Sequence, residues 1–131
     1  IGIEALSRGA ADAVLVESAP KAAECIRENL KFTHLEEHAL LMQTDVFQAI
    51  SRLRGRGAYD FIFMDPPYNQ DREKQVLKAL CDTDLVDTYT VIITEASLQT
   101  DFSYLETMGY QIRKYKKYKT NAHVFIEKKD A

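Results

Sequence analysis

The sequence lacks the features that would mark an exported or membrane-embedded chain. No apolar run approaches the roughly 20 residues that span a bilayer. The opening residues show no basic stretch followed by an apolar one, as a signal peptide would. Cysteine is scarce: Cys25 and Cys81 are too far apart for a CxxC or metal-type spacing. Both fall in helix-like segments, where reduced, structural thiols of a cytoplasmic protein are expected. His34, His38 and His123 are scattered. Only the first two share a helix-like spacing, and no third ligand lies near them, so surface or packing roles are expected and no metal site. No repeat, low-complexity tract or linker interrupts the chain. An excess of charge of one sign is also nearly absent. A net charge of -3 neither demands nor excludes a nucleic acid partner, because local patches outweigh the sum. What remains is 131 residues, 46% hydrophobic and 28% charged, an ordinary composition for one domain with a real core.

The segments alternate. "IGIEALSRG" has the pattern of a helix stopped by Gly9. "AVLVE" is a short apolar strand. "PKAAECIRENLKF" predicts a helix with Pro20 in its first turn and Ala22, Ile26 and Leu30 on one face. "HALLMQT" is a strand. "VFQAISRL" is a short helix with Phe47 and Ile50 inward, broken by Gly55 and Gly57. "DFIFM" is a strand whose continuous apolar run suits a parallel sheet covered on both faces. "REKQVLKALCD" is a helix, "YTVIITE" a strand, and "DFSYLETMG" a weak helix ending at Gly109. The tail "YQIRKYKKYKTNAHVFIEKK" predicts two antiparallel strands with a turn near Thr120 and Asn121. The order αβαβαβαβαββ implies an α/β fold. Its sheet would be doubly wound and mostly parallel, with a C-terminal antiparallel strand pair at one edge. Because the chain opens on a helix, a first strand and its loop are expected to be missing from it.

In such sheets, ligands bind outside the carboxyl ends of the strands, and acids stand there repeatedly. Glu17 ends the first visible strand. It could accept hydrogen bonds from the vicinal hydroxyls of a ribose, or be a solvated carboxylate that helps cap the next helix. Asp45 precedes a helix. It could be an N-cap, or an acceptor for an adenine amino group with Val46 against the adenine face. Glu95 ends a fourth strand and has the look of a solvated rim residue.

Asp65-Pro66-Pro67-Tyr68 follows the third strand directly. An exocyclic amine on a base is a poor nucleophile, because its lone pair is delocalised into the ring. Acceptors around its N–H groups can hold it and favour lone-pair density towards a methyl donor. Asp65 offers a carboxylate and Pro66 a carbonyl. Pro67 fixes its own φ and restricts Pro66, so the loop is preorganised. Tyr68 offers a flat face for a base removed from its stack. The bland alternative is a strand that simply ends in a proline turn.

The DPPY block resembles the motif of amino-methyltransferases that use S-adenosylmethionine. "GIEALSRGA", from Gly2 to Ala10, is similar to the segment after the glycine-rich loop of bacterial 16S rRNA guanine-N2 methyltransferases of the RsmD type. Val16-Glu17, Glu28 to Leu30, Thr44 to Phe47 and the FIFMDPPY block follow in that family's order. The resemblance implies a Rossmann-like class I methyltransferase domain spanning residues 1–131, lacking its N-terminal strand and glycine-rich loop. It implies that Gly2 is the last glycine of that loop and that Gly2, Glu17, Asp45, Val46 and Asp65 contact S-adenosylmethionine. Glu17 would hold the ribose and Asp45 the adenine. Asp65, Pro66, Pro67 and Tyr68 would form the catalytic loop, with Tyr68 and Asn69 against the substrate base. The partner would be ribosomal RNA or the small ribosomal subunit, in the cytoplasm, with no membrane and no metal involved.

Arg113 to Lys119 interleaves basic residues with Tyr115 and Tyr118. This reads first as a solvated edge strand guarded by lysines, and second as a contact for an RNA backbone. Other readings of the whole are a DNA adenine-N6 or cytosine-N4 methyltransferase and a non-catalytic truncated domain of the same fold. The first would need a target-recognition region for which no spare length exists. A nicotinamide-dinucleotide domain would give DPPY no role.

Overall fold

The computed structural model describes residues 11–65 and 71–129. The chain gathers into two compact units, Ile1–Arg52 and Leu53–Ala131, each with its own sheet. The helix expected at residues 1–9 lies outside the described residues.

In the first unit, β1 (Ala13–Val16) and β2 (Ala39–Met42) run parallel, in register from Ala13 beside Ala39 to Val16 beside Met42. Helix α1 (Pro20–Phe32) connects them. Pro20 costs nothing in the first turn, where its absent N–H would lack an intrahelical partner anyway. The stripe that faces inward carries buried Ala23 and Leu30 with half-buried Ala22 and Ile26. The helix ends where the Thr33 hydroxyl donates to Asn29 O at 2.8 Å, and a 3-10 turn, Glu36–His38, leads into β2. Helix α2 (Val46–Leu53) follows, with Ala49, Ile50 and Leu53 buried and Phe47 half-buried.

The second unit holds β3 (Phe61–Met64), α3 (Arg72–Cys81), β4 (Val91–Ser97), a 3-10 helix (Ser103–Met108), β5 (Tyr110–Lys117) and β6 (Asn121–Lys128). The sheet order is β3-β4-β6-β5. β3 and β4 are parallel, and the two pairs involving β6 are antiparallel, as expected for the tail. Ile92, Thr94, Val124 and Ile126 are fully buried on one face of this sheet. Their alternating neighbours Ile93, Glu95, His123 and Phe125 are half-buried on the other. Alternation of this kind marks a sheet whose two faces are covered unequally.

Within the first unit β1 pairs with β2, and within the second the order is β3-β4-β6-β5. One expectation is corrected here: β3 is not covered on both faces, since Phe61 is 62% exposed and Phe63 47%. The reason is positional. Among the described residues β3 pairs only with β4, and its alternation puts Phe61 and Phe63 on the less covered face. An apolar run reports what a strand tolerates, not how many neighbours it has.

The turn between α2 and β3 shows why its glycines are there. Gly55 and Gly57 adopt φ of +91° and +96°, a region that penalises any side chain. Their N–H groups both donate to the Asp84 carboxylate, at 2.8 and 2.9 Å. Those two bonds hold the Asp84 carboxyl below the usual aspartate range. A depressed acid stabilises the fold at pH values above its unfolded titration and loses that contribution as the pH falls through the lower folded value. Asp84→Asn should therefore lower Tm at neutral pH. Thermal unfolding followed across pH should show the gap to wild type closing as the pH drops below about 4. A gap of equal size at pH 7 and at low pH would remove Asp84 from the account of this turn.

β5 is an edge strand, exposed from Gln111 to Lys117. It carries a bulge: Ile112 stands beside Ile126, yet Lys114 stands beside Phe125, leaving Arg113 as the extra residue. No described helix is long and apolar enough to cross a membrane. Among the described residues, no group of three or more His, Cys, Asp or Glu side chains could hold a metal ion.

Candidate active site

The first unit carries Glu17 and Asp45 beyond the carboxyl ends of two neighbouring parallel strands. The Glu17 N–H donates to Met42 O at 3.0 Å, which continues the ladder by one residue and fixes the backbone of the acid. Its side chain is half-buried, and Oε2 accepts the Ala19 N–H at 3.2 Å. That bond orients the carboxylate and uses one of roughly four lone-pair positions, leaving others for a vicinal diol. Asp45 is exposed and caps α2, with Oδ1 accepting the Gln48 N–H at 3.0 Å. The Thr44 hydroxyl donates to Gln48 Oε1 at 2.7 Å, which ties the same turn from the other side. Val46 begins α2 and is half-buried. The capping alternative for Asp45 is thus realised, and the second carboxylate oxygen is what a ligand could use.

The second unit carries Asp65, which directly follows β3. Met64 stands beside Thr94 in the parallel pair, so the next step brings Asp65 beside Glu95. Glu95 stands beside His123 on β6, and His123 beside Lys116 on β5. Partners in a ladder share a face, so Asp65, Glu95, His123 and Lys116 form a row across all four strands. Glu95 is half-buried and accepts a hydrogen bond from the Asn121 amide. The His123 ring meets Tyr118 edge-on, with centroids 4.8 Å apart. Lys116 Nζ lies 5.4 Å from the Tyr118 ring centre.

The Asp65 carboxyl is pushed above the ordinary aspartate range. Partial burial is the main cause, and the Glu95 carboxyl adds to it through its charge and a hydrogen bond between the two groups; His123 pulls the other way. Asp65 as a whole is exposed, so water screens part of this coupling. The arrangement is a carboxyl that accepts a proton more readily than a free aspartate does, at the carboxyl end of a strand. Pro66, Pro67, Tyr68, Asn69 and Gly2 lie outside the described residues.

Sequence reasoning passed over Glu95 and His123. The available signal was register: a carboxylate late in the strand next to the one that Asp65 follows. Cys25 is exposed and Cys81 half-buried, the latter with its thiol pushed up by burial and by Asp82.

The fold is the Rossmann-like α/β fold of the solved structures it superposes on. A Streptococcus pyogenes structure described as a conserved hypothetical protein superposes with a TM-score of 0.84 at 29% identity, over 97% of this chain and 78% of that one. A Haemophilus influenzae structure described as a methylase gives 0.86 at 20% identity, over 98% and 80%. The chain belongs to the family described as Conserved hypothetical protein 95, whose model matches residues 1–127, and its relatives place it with the RsmD type. YlbH of Bacillus subtilis (strain 168) is 30% identical over 110 residues, 83% of this chain and 59% of that protein. Ribosomal RNA small subunit methyltransferase D of Buchnera aphidicola (subsp. Acyrthosiphon pisum, strain APS) is 32% identical over 80 residues, 61% of this chain and 41% of that protein. The chain thus spans about three-fifths and two-fifths of these relatives' lengths.

Proposed function

We propose that the protein transfers a methyl group from S-adenosylmethionine to the exocyclic N2 amine of a guanine in 16S ribosomal RNA, in the cytoplasm. The observation that carries this reading is the Asp65 carboxyl at the end of β3, with raised proton affinity, immediately before Pro66, Pro67 and Tyr68. The relatives support it by name: both are called rRNA methyltransferases, and one is assigned to the small subunit.

Bound S-adenosylmethionine would supply an electrophilic methyl group. The residues fit its nucleoside half in chemistry. Glu17 has carboxylate positions left for a ribose diol, and Asp45 with Val46 offers an acceptor and an apolar edge for adenine. Asp65 and the Pro66 carbonyl would accept the N–H groups of the target amine and keep its lone pair facing the donor. As positive charge develops on that nitrogen, the Asp65 carboxylate gains in value, so its effect falls on turnover more than on binding. Tyr68 and Asn69 would hold the base. The exposed basic strand β5, with Arg113, Lys114, Lys116 and Lys117, is available to RNA phosphates.

The test is methyl transfer by the full-length protein to unmodified 16S rRNA and to partly assembled small subunits, with the product nucleosides resolved by mass spectrometry. The expected product is N2-methylguanosine. Methyl groups on adenine N6 or cytosine N4, or transfer to DNA, would overturn the assignment. Within the same assay, Tyr68→Phe should be mild and Tyr68→Ala severe, because a stacked base contributes about 1–3 kcal/mol. Equal damage from both would make the hydroxyl, not the ring face, the working part.

A further inference from the structure

The half-buried face of the second sheet carries a row that the proposed reaction does not yet use. Glu95 stands between Asp65 on β3 and His123 on β6, and the amide of Asn121 holds its carboxyl in place. Lys116 on β5 ends the row, beside His123. These are the ionisable groups that face Asp65 from β4, β6 and β5. The Glu95 carboxyl stands close enough to raise the proton affinity of Asp65, by its charge and by hydrogen bonding. Groups coupled in this way titrate as a pair rather than singly.

We infer that Glu95 is a positioning residue for Asp65, fixed by Asn121 beside the acceptor carboxyl, and that the Asp65–Glu95 pair receives the proton released by the methylated amine. The inference rests on the reading of Asp65 as the amine acceptor. The balance is simple. The new nitrogen–carbon bond forms as the donor's sulfur–carbon bond breaks, which leaves a cationic nitrogen. One N–H proton of that nitrogen passes to the Asp65 carboxylate. Glu95 shares it across the hydrogen bond, and the half-exposed face returns it to water, with His123 and Lys116 at the far end of the row. A lone exposed aspartate would hold the amine equally well but would keep the proton poorly. A second carboxylate at its side changes that, because the pair repels its own double charge.

The signs of the neighbours make the inference testable without substrate or donor. Full-length protein carrying 13C-labelled aspartate carboxyls is titrated by NMR, with the Asp65 signal assigned through Asp65→Asn. Glu95→Gln keeps an oxygen for Asn121 but removes the charge and the shared proton, so the Asp65 midpoint should fall. His123→Gln removes the one neighbour that lowers it, so the midpoint should rise. Methyl transfer by Glu95→Gln should drop up to about 10²-fold in kcat, with donor affinity unchanged. An Asp65 midpoint unmoved in Glu95→Gln, or moved in the same direction by both variants, would overturn the pairing. If Glu95→Gln fails to fold, Asn121→Ala, which releases the Glu95 carboxyl from its fixed place, should lower the Asp65 midpoint, and an unmoved midpoint would overturn the pairing. A wild type that transfers no methyl group to RNA would sink the proposed function, while the two midpoint shifts would still judge the pair.

Discussion

Replacing Asp65 with alanine should lower methyl transfer about 10²–10³-fold, the cost of losing one preorganised group aimed at developing charge. Donor affinity, measured by calorimetry on the full-length protein, should stay within a few-fold, because the loss concerns the amine and not the nucleoside. The same substitution should not cost stability. An acid whose folded pKa is raised contributes stability that is full below its unfolded titration and lost as the pH rises through the folded value. At neutral pH the ionised Asp65 is therefore a small liability to the fold, and its removal should leave Tm unchanged or slightly higher. A variant that lost activity and melted markedly lower would mean that Asp65 is a structural residue. Sites that keep an unfavourable charge for their chemistry commonly trade stability for activity in this way.

Replacing Tyr110 with alanine should be the most damaging change to the fold. Tyr110 opens β5, is fully buried, and its hydroxyl donates to Leu77 O in α3 at 2.8 Å. It ties the edge strand to the helix on the covered face. Truncating a large buried aromatic costs about 3–5 kcal/mol, a large fraction of the roughly 5–15 kcal/mol that holds a domain folded. For a chain of this length, that is on the order of 10–20 °C in Tm. Tyr110→Phe keeps the ring and loses only the hydrogen bond, about 1 kcal/mol. Thermal unfolding of the two variants should thus separate clearly. Near-equal Tm values would show that the cavity collapses or that the hydroxyl carries most of the tie.

Local signals made the elements legible. Pro20 marked the start of α1, and the helix runs Pro20–Phe32 as its periodicity implied. Gly109 marked the end of the 3-10 helix by adopting φ +83°. Asp45 displayed its capping role because caps are a matter of three neighbouring residues. Pairing was less legible, because it depends on residues far apart in the chain. Phe61 and Phe63 carry the apolar signature of an enclosed strand and are nonetheless exposed. Glu95 looked like any rim glutamate, and only the register of β3, β4 and β6 brings it beside Asp65 and His123. The family resemblance pointed to the loop from Asp65 onward, but not to the neighbours that tune its acid.

The extra residue in β5 sets the parity of everything after it. Side chains alternate between the two sides of a strand, so one inserted residue exchanges them. Counted without Arg113 as a bulge, Tyr115 would stand beside His123 and Lys116 beside Ala122. With it, Lys116 stands beside His123 and Tyr115 beside Val124. A neutral phenol is thereby exchanged for an ammonium at the end of the Asp65–Glu95–His123 row. Pairing Arg113 as an ordinary rung of the ladder would leave the composition of the basic segment untouched, yet it would reverse which of its later side chains look towards the carboxyl pair and which look away.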